Sequence, residues 1–186
     1  ISSVDRAAEE PMEEFVRGIV QAADKIGVPP AVHAYNWHEI PFDNDYPHYL
    51  PARQGFDRAV AKLRQRHIQV TPYINGRLWD TRDRGLEDWQ FSAVAKPAAT
   101  KDEAGKVVYE MYGSQEADGS FTQLGVMCPS TALWQDKIAN IVRQIICDIG
   151  ASGVYIDQIA AMVAVLCFDE THGHPLGGGH WWRKGY

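Results

Sequence analysis

The sequence predicts an α/β fold: parallel strands alternating with helices, part of a (β/α)8 TIM barrel that carries a β-hairpin insertion. Three observations carry this. Short apolar runs at 31–37, 68–74 and 154–156 are separated by stretches of helical periodicity. Residues 31–74 read as strand, loop, helix, strand, which is one βαβ crossover with parallel strands and right-handed connection. Three strands cannot close a barrel, which takes ~250 residues, and the chain has 186. Residues 1–186 are therefore expected to be a single domain that is a fragment of a larger barrel. An open doubly wound sheet is the competing architecture, but it normally begins with a phosphate-binding turn.

The first helix is expected over 12–26. Phe15, Ile19, Val20, Ala23 and Ile26 share a face, Glu13 and Glu14 stand early and Lys25 late, and Gly27 with Pro29-Pro30 stops it. The strand at 31–37 ends in Asn36, Trp37 and His38. The polar, aromatic loop at 39–51 is too rich in proline for a helix. A second helix over 54–66 is set by Phe56, Ala59, Val60 and Leu63 at i, i+3, i+4, i+7. The next strand, 68–74, leads into Asn75-Gly-Arg77-Leu-Trp79-Asp80.

Residues 81–127 break the rhythm and read as an insertion. Within it, 107–111 and 121–126 alternate around Ser114-Gln-Glu-Ala-Asp-Gly119, a hairpin pattern. A third helix over 131–149 carries the strongest apolar stripe, Trp134, Ile138, Ile141, Val142, Ile145 and Ile149. Gly150 and Gly153 end it before the strand Val154-Tyr-Ile, which delivers Asp157 and Gln158. A loop rich in His, Gly and Trp follows. The closing Trp181-Trp182-Arg183-Lys184-Gly185-Tyr186 looks like the lead-in to another helix.

Composition narrows the function. A net charge of -6 with both signs mixed along the chain excludes the basic face that nucleic acid requires. No apolar run approaches a membrane span of ~18 residues. Cys128, Cys147 and Cys167 are an odd set without CxxC spacing and are expected to be buried thiols. The chain opens at Ile1 rather than Met, so both ends are expected to continue. Compartment stays open, secretion or a periplasmic location following only if a signal peptide precedes the fragment. Oligomeric state is open as well.

Asp157 is the strongest single clue. In parallel α/β proteins chemistry is done at the carboxyl ends of strands. A carboxylate fixed there suits the nucleophile of a retaining glycosidase, which works beside a second, protonated carboxyl about 5–5.5 Å away. Gln158 could orient it. If the sheet is parallel, Asn36, Trp37 and His38 from one strand end, and Asn75, Arg77, Trp79 and Asp80 from the next, share its rim. Flat aromatics would stack on sugar rings while the polar groups hold hydroxyls. His174 and Trp181 are expected to face the ligand from the last loop. The alternatives are that Asp157 caps a loop and that the tryptophans plug the barrel as core.

In the same loop Asp169, His172, His174 and His180 could be taken for metal ligands, but they fit no recognised spacing, and no metal or other cofactor is assigned. Gly177-Gly-Gly179 lacks the Lys-Ser/Thr of a P-loop. Neither a serine nucleophile elbow nor HExxH is present.

The motifs Trp37-His38-Glu39-Ile-Pro-Phe-Asp43-Asn-Asp45-Tyr-Pro, Pro72-Tyr-Ile-Asn75-Gly-Arg77-Leu-Trp79-Asp80, Met127-Cys-Pro, Gly153-Val-Tyr-Ile-Asp157-Gln158 and His172-Gly-His-Pro-Leu-Gly-Gly-Gly179 carry a resemblance. From about Gly27 to Tyr186 the chain resembles a bacterial family of glycoside-hydrolase-like TIM-barrel proteins of uncharacterised activity. At one remove it is similar to the retaining α-glycosidases, such as α-galactosidases and α-glucosidases. That resemblance implies Asp157 as nucleophile at the end of a fourth strand, an acid/base beyond Tyr186, a carbohydrate substrate, and an isolated fragment without activity. Those enzymes often carry Lys or Arg two residues before the nucleophile, where this chain has Tyr155. A barrel that binds glycans without cleaving them is the alternative the departure favours. A metal-dependent hydrolase built on the loop at 172–180 is the third reading.

Overall fold

The structure is a computed structural model and describes residues 12–186. The chain divides into two compact units. One comprises residues up to Glu39 with Tyr49–Ile74 and Asn140–Ile156; the other comprises Ile40–His48, Asn75–Ala139 and Asp157–Tyr186. The segment 81–127, set apart by its sequence, falls wholly inside the second.

The first unit is α/β. Helix α1 (Met12–Ile26) ends at Gly27, whose φ of +79° suits a residue without Cβ. Its apolar stripe is only half-covered, and Ile26 is largely exposed. Strand β1 (Ala31–Ala34) is shorter than its apolar run suggests, because the chain bends at Tyr35 and Asn36 and turns Trp37 inward. Helix α2 (Phe56–Gln65) buries all four residues of its stripe, Phe56, Ala59, Val60 and Leu63. At about 1.5–3 kcal/mol for each fully buried large side chain, that face alone anchors the helix. Strand β2 (Gln69–Asn75) runs parallel to β1 with Ala31 opposite Gln69 and Ala34 opposite Pro72.

Helix α3 (Ala132–Cys147) leads into strand β6 (Tyr155–Asp157), and the sheet order is β1-β2-β6. Ile141 and Ile145 are the buried residues of the α3 stripe in this unit. Arg64 Nη1 donates to the Gly150 carbonyl at 2.9 Å and fixes the turn out of α3. A Cβ on Gly153 would stand 3.3 Å from Thr71 Cγ2, so the approach to β6 admits little more than glycine.

The second unit is built on an antiparallel sheet in the order β3-β5-β4. Strands β4 (Tyr109–Glu110) and β5 (Leu124–Val126) are the expected hairpin with shortened arms, Tyr109 opposite Gly125 and Glu110 opposite Leu124. Strand β3 (Leu78–Asp80) pairs with the other edge of β5 and is not visible in the sequence pattern. Trp79, Phe91, Ala95, Ala98, Ala99, Met127 and Trp134 form the core beneath. Gly125 lets the Phe91 ring approach β5 closely: a Cβ there would meet Phe91 Cζ at 3.1 Å. Two 3-10 turns, Glu87–Trp89 and Lys96–Ala98, order the segment that the sequence leaves irregular. Helix α4 (Trp181–Lys184) buries Trp181 and Trp182. No helix among the described residues is long and apolar enough to cross a membrane.

Candidate active site

Asp157 is the last residue of β6 and is half-buried. Its carbonyl accepts from the Gly76 N–H at 3.0 Å, so the chain leaving β2 and the end of β6 are joined at the strand ends. Its carboxylate Oδ1 accepts the N–H of Gln158 at 2.9 Å. Gln158 takes a φ of +66°, an uncommon conformation for a residue with a side chain, and one that costs about 1 kcal/mol or more. The turn folds the Gln158 amide back onto the carboxylate, and the side-chain Nε2 donates to Tyr112 Oη at 3.0 Å.

Tyr112 in turn donates to Glu110 Oε2, and Glu110 Oε1 is ion-paired with Arg77, 2.7 Å from Nη2. Burial and the neighbouring Glu110 carboxylate push the Tyr112 phenol up to about 12, so it stays a proton donor at neutral pH. Arg77 is 1 % exposed and lies 5.8 Å from the Trp182 ring. A connected line of polar groups thus runs from a buried guanidinium to the turn that holds Asp157.

Asp43 was not singled out by its sequence. It sits at φ +56° in the loop after β1, gives its N–H to Tyr46 Oη at 3.1 Å, and receives that hydroxyl on Oδ1 at 3.4 Å. Burial raises its carboxyl above the ordinary 3.8; the Tyr46 hydroxyl offsets part of this, and the negative charge of Asp157 raises it further.

The remaining predicted residues have other surroundings. Asn36 lies half-buried in the bend after β1. Trp37 and Trp79, expected as open platforms for a sugar, are each 1 % exposed. Trp37 Nε1 donates to the Tyr73 carbonyl at 2.7 Å and its ring stacks on Tyr49, while Trp79 packs on Trp134. Their faces are spent on core packing. His38 is fully buried, and its carbonyl accepts Arg53 Nε at 2.9 Å. Asn75 is fully buried too; its Oδ1 accepts the N–H groups of Arg77 and Leu78 at 2.9 and 3.1 Å and so shapes the turn into β3. Asp80 accepts from the Asp45 and Arg82 amides at 3.1 and 2.9 Å, and burial raises its carboxyl despite them.

His174 and Trp181 stack on each other, ring centres 3.6 Å apart and planes 1° from parallel. His174 belongs to a separate cluster with Cys128, Cys167 and His172, whose ligand-type atoms all lie within 4.8 Å of one another. The sequence grouped the histidines with Asp169 and His180; the two cysteines arrive from distant segments, with no local spacing to announce them.

A parallel α/β sheet with a carboxylate at a strand end is the arrangement of enzymes that work at the rim of such sheets. The chain belongs to the family described as Domain of unknown function (DUF6259), whose sequence profile matches residues 3–186. It is 32 % identical over 173 residues to a Bacteroides thetaiotaomicron protein named "Putative glycoside hydrolase", covering 93 % of this chain and 24 % of that protein. A Monosiga brevicollis protein of the same name, numbered 22789, is 32 % identical over 168 residues, with 83 % and 14 % covered. The chain thus spans about a quarter or less of the curated relatives it matches.

Among solved structures it is similar to the α-N-acetylgalactosaminidase NagBb of Bifidobacterium bifidum in complex with GalNAc, with TM-score 0.69, 14 % identity, and 95 % of this chain and 26 % of that one covered. It is also similar to the α-galactosidase TtGalA of Thermus thermophilus bound to p-nitrophenyl α-D-galactopyranoside, with TM-score 0.54, 13 % identity, and 83 % and 29 % covered. The likeness to glycoside-hydrolase proteins that the motifs carry is the likeness these comparisons return.

Proposed function

We propose that the chain is the nucleophile-bearing sector of a (β/α)8 glycoside hydrolase, with Asp157 as the attacking carboxylate. The observation that carries this is Asp157 itself: the terminal residue of a strand in the β1-β2-β6 sheet, oriented by the Gln158 amide. The names of the relatives and the fold shared with α-galactosidase and α-N-acetylgalactosaminidase support the class of reaction. In that reaction an Asp157 oxygen bonds to the anomeric carbon as the glycosidic C–O bond breaks. A second carboxyl gives its proton to the departing oxygen, and water then releases the sugar from Asp157. The Gln158 N–H holds the carboxylate in its attacking pose without removing its charge, and a strand end is stiff enough to keep that pose.

α-Galactoside and α-N-acetylgalactosaminide substrates are the first to test. Replacing Asp157 by Asn in the full-length protein is expected to lower turnover at least ~10³-fold with the circular dichroism spectrum unchanged. Turnover near wild type would remove Asp157 from the chemistry. Sugar binding without turnover in the unaltered protein would favour the glycan-binding reading, which Tyr155 supports by standing where α-glycosidases often carry a cation.

The family resemblance implies an acid beyond Tyr186; within the chain, Asp43 is the carboxyl to test for that part. Burial raises the Asp43 carboxyl, and a carboxyl held above its ordinary range suits the part of the acid. An acid is needed most when the leaving group is poor. Asp43→Asn should therefore slow cleavage of an alkyl glycoside far more than that of a nitrophenyl glycoside. An equal loss on both assigns Asp43 to substrate binding instead.

A further inference from the structure

We propose that Cys128, Cys167, His172 and His174 form a structural zinc site. The four come together because the chain is built to bring them. Cys128 stands two residues past the end of β5. Cys167 and Gly177 exchange backbone hydrogen bonds of 3.2 and 2.7 Å, closing the loop between them. Inside that loop Asp169 accepts from the Thr171 amide and hydroxyl at 2.9 and 2.6 Å, opening the 3-10 turn Glu170–His172, and Gly173 at φ +71° ends it. The two histidines are thereby set facing the two sulfurs.

The distances suit one tetrahedral ion. Cys128 Sγ lies 3.4 Å from His174 Nε2, and Cys167 Sγ lies 3.4 Å from His172 Nδ1. With Zn–S near 2.3 Å and Zn–N near 2.0–2.1 Å, the edges of a tetrahedral site span about 3.3–3.8 Å. The protonation pattern points the same way. His172 Nε2 lies 2.7 Å from the Pro97 carbonyl and His174 Nδ1 lies 2.8 Å from the Pro175 carbonyl. A carbonyl only accepts, so those nitrogens carry the protons, and His172 Nδ1 and His174 Nε2 present lone pairs to the cluster. A metal-bound histidine is held by a partner on its other nitrogen in just this manner.

Both cysteines and His172 are buried and His174 is partly so, and all four positions around one ion would be taken by protein atoms. Four protein ligands with no open position define a structural site rather than a catalytic one. Two thiolates and two neutral imidazoles would also cancel the charge of a divalent ion, leaving nothing uncompensated in the interior. The ion would pin the loop at 167–177 to the end of β5 and hold the His174 ring against Trp181.

The test uses full-length protein purified without a polyhistidine tag. Elemental analysis is expected to find about one zinc per chain, released by chelator together with a fall in melting temperature. Cobalt exchanged into the site should show thiolate-to-metal charge transfer and the intense visible bands of tetrahedral coordination. Cys167→Ala and His174→Ala should each lose the metal, exceeding the ~10–100-fold affinity cost of removing an outer-shell partner. Should those variants fail to fold, the cobalt spectrum of the unaltered protein still decides. Absence of bound zinc together with an octahedral cobalt spectrum, or a Cys128–Cys167 disulfide found by mass spectrometry, would overturn the proposal. Neither measurement depends on glycosidase activity, so it stands or falls apart from the role of Asp157.

Discussion

Arg77 shows how one residue can change its role between sequence and structure. In the sequence it reads as a fork for sugar hydroxyls. Folded, it is 1 % exposed and carries its charge against Glu110 as an ion pair of 2.7 Å, while Nε, Nη1 and Nη2 make no well-aligned hydrogen bond to protein. A charge removed from water needs its partner, and breaking a buried pair from one side costs about 3–5 kcal/mol. Glu110 keeps some exposure, so Glu110→Gln should lower unfolding free energy by the low end of that range, measured by urea titration. The same variant frees Tyr112 from its acceptor. If the line from Arg77 to Gln158 positions Asp157, turnover at saturating substrate should fall as well, a loss that stability alone would not produce. A fully stable Glu110→Gln protein would show that Arg77 finds water or another partner.

At the scale of elements, Asp88 ties three pieces of the second unit together. The 3-10 turn Glu87–Trp89 places its carboxylate 3.3 Å from His48 Nε2 and 2.5 Å from Lys137 Nζ on α3, while Trp89 stacks on the His48 ring at 3.6 Å. The His48 ring, then the Lys137 ammonium, hold the Asp88 carboxyl well below its ordinary 3.8. A folded value below the unfolded one means that Asp88 stabilises the fold above pH 3.8 and that this contribution is lost as pH falls below it. Asp88→Asn should therefore be less stable than wild type at neutral pH, and the gap should narrow on acidification toward pH 3. A gap that stays constant with pH would show that packing of the turn, not charge, is what the substitution disturbs. On the neighbouring strand, Gly125→Val should force the Phe91 ring off β5 and cost about 1–3 kcal/mol, as overpacking does.

These elements also show what was readable in advance. The α2 stripe, the βαβ crossover and the 107–126 hairpin follow from period alone, because each buries one face against a neighbour. Strand β3 is three residues long, too short for alternation to register, and its pairing with β5 is set by the fold. For Trp37 and Trp79 the sequence is ambiguous, because an aromatic at a strand end has the same signature whether it plugs a core or faces solvent. The Cys128–Cys167 pair carries no local spacing at all; only folding brings it beside the histidines.

For the whole molecule, the telling feature is a row of aromatic rings across the three-stranded sheet. His33 on β1, Tyr35 beyond it, Tyr73 on β2 and Tyr155 on β6 lie in contact, with Tyr35 stacked on Tyr73 at 4.9 Å and His33 4.1 Å from Tyr155. Tyr155 is nonetheless 44 % exposed. In a closed barrel, residues from successive strands point inward and stack in layers, and further strands cover them. Such a row half-open to water on a three-stranded sheet is what one sector of that barrel would present. Deleting a large ring from a finished core costs about 3–5 kcal/mol, whereas exposed substitutions mostly stay within about 0.5 kcal/mol. Tyr155→Ala should then cost several times more in the full-length protein than in this 186-residue chain alone, each read by denaturant unfolding. Equal small losses in both would mean that nothing closes over the row, and the barrel reading would give way to an open sheet.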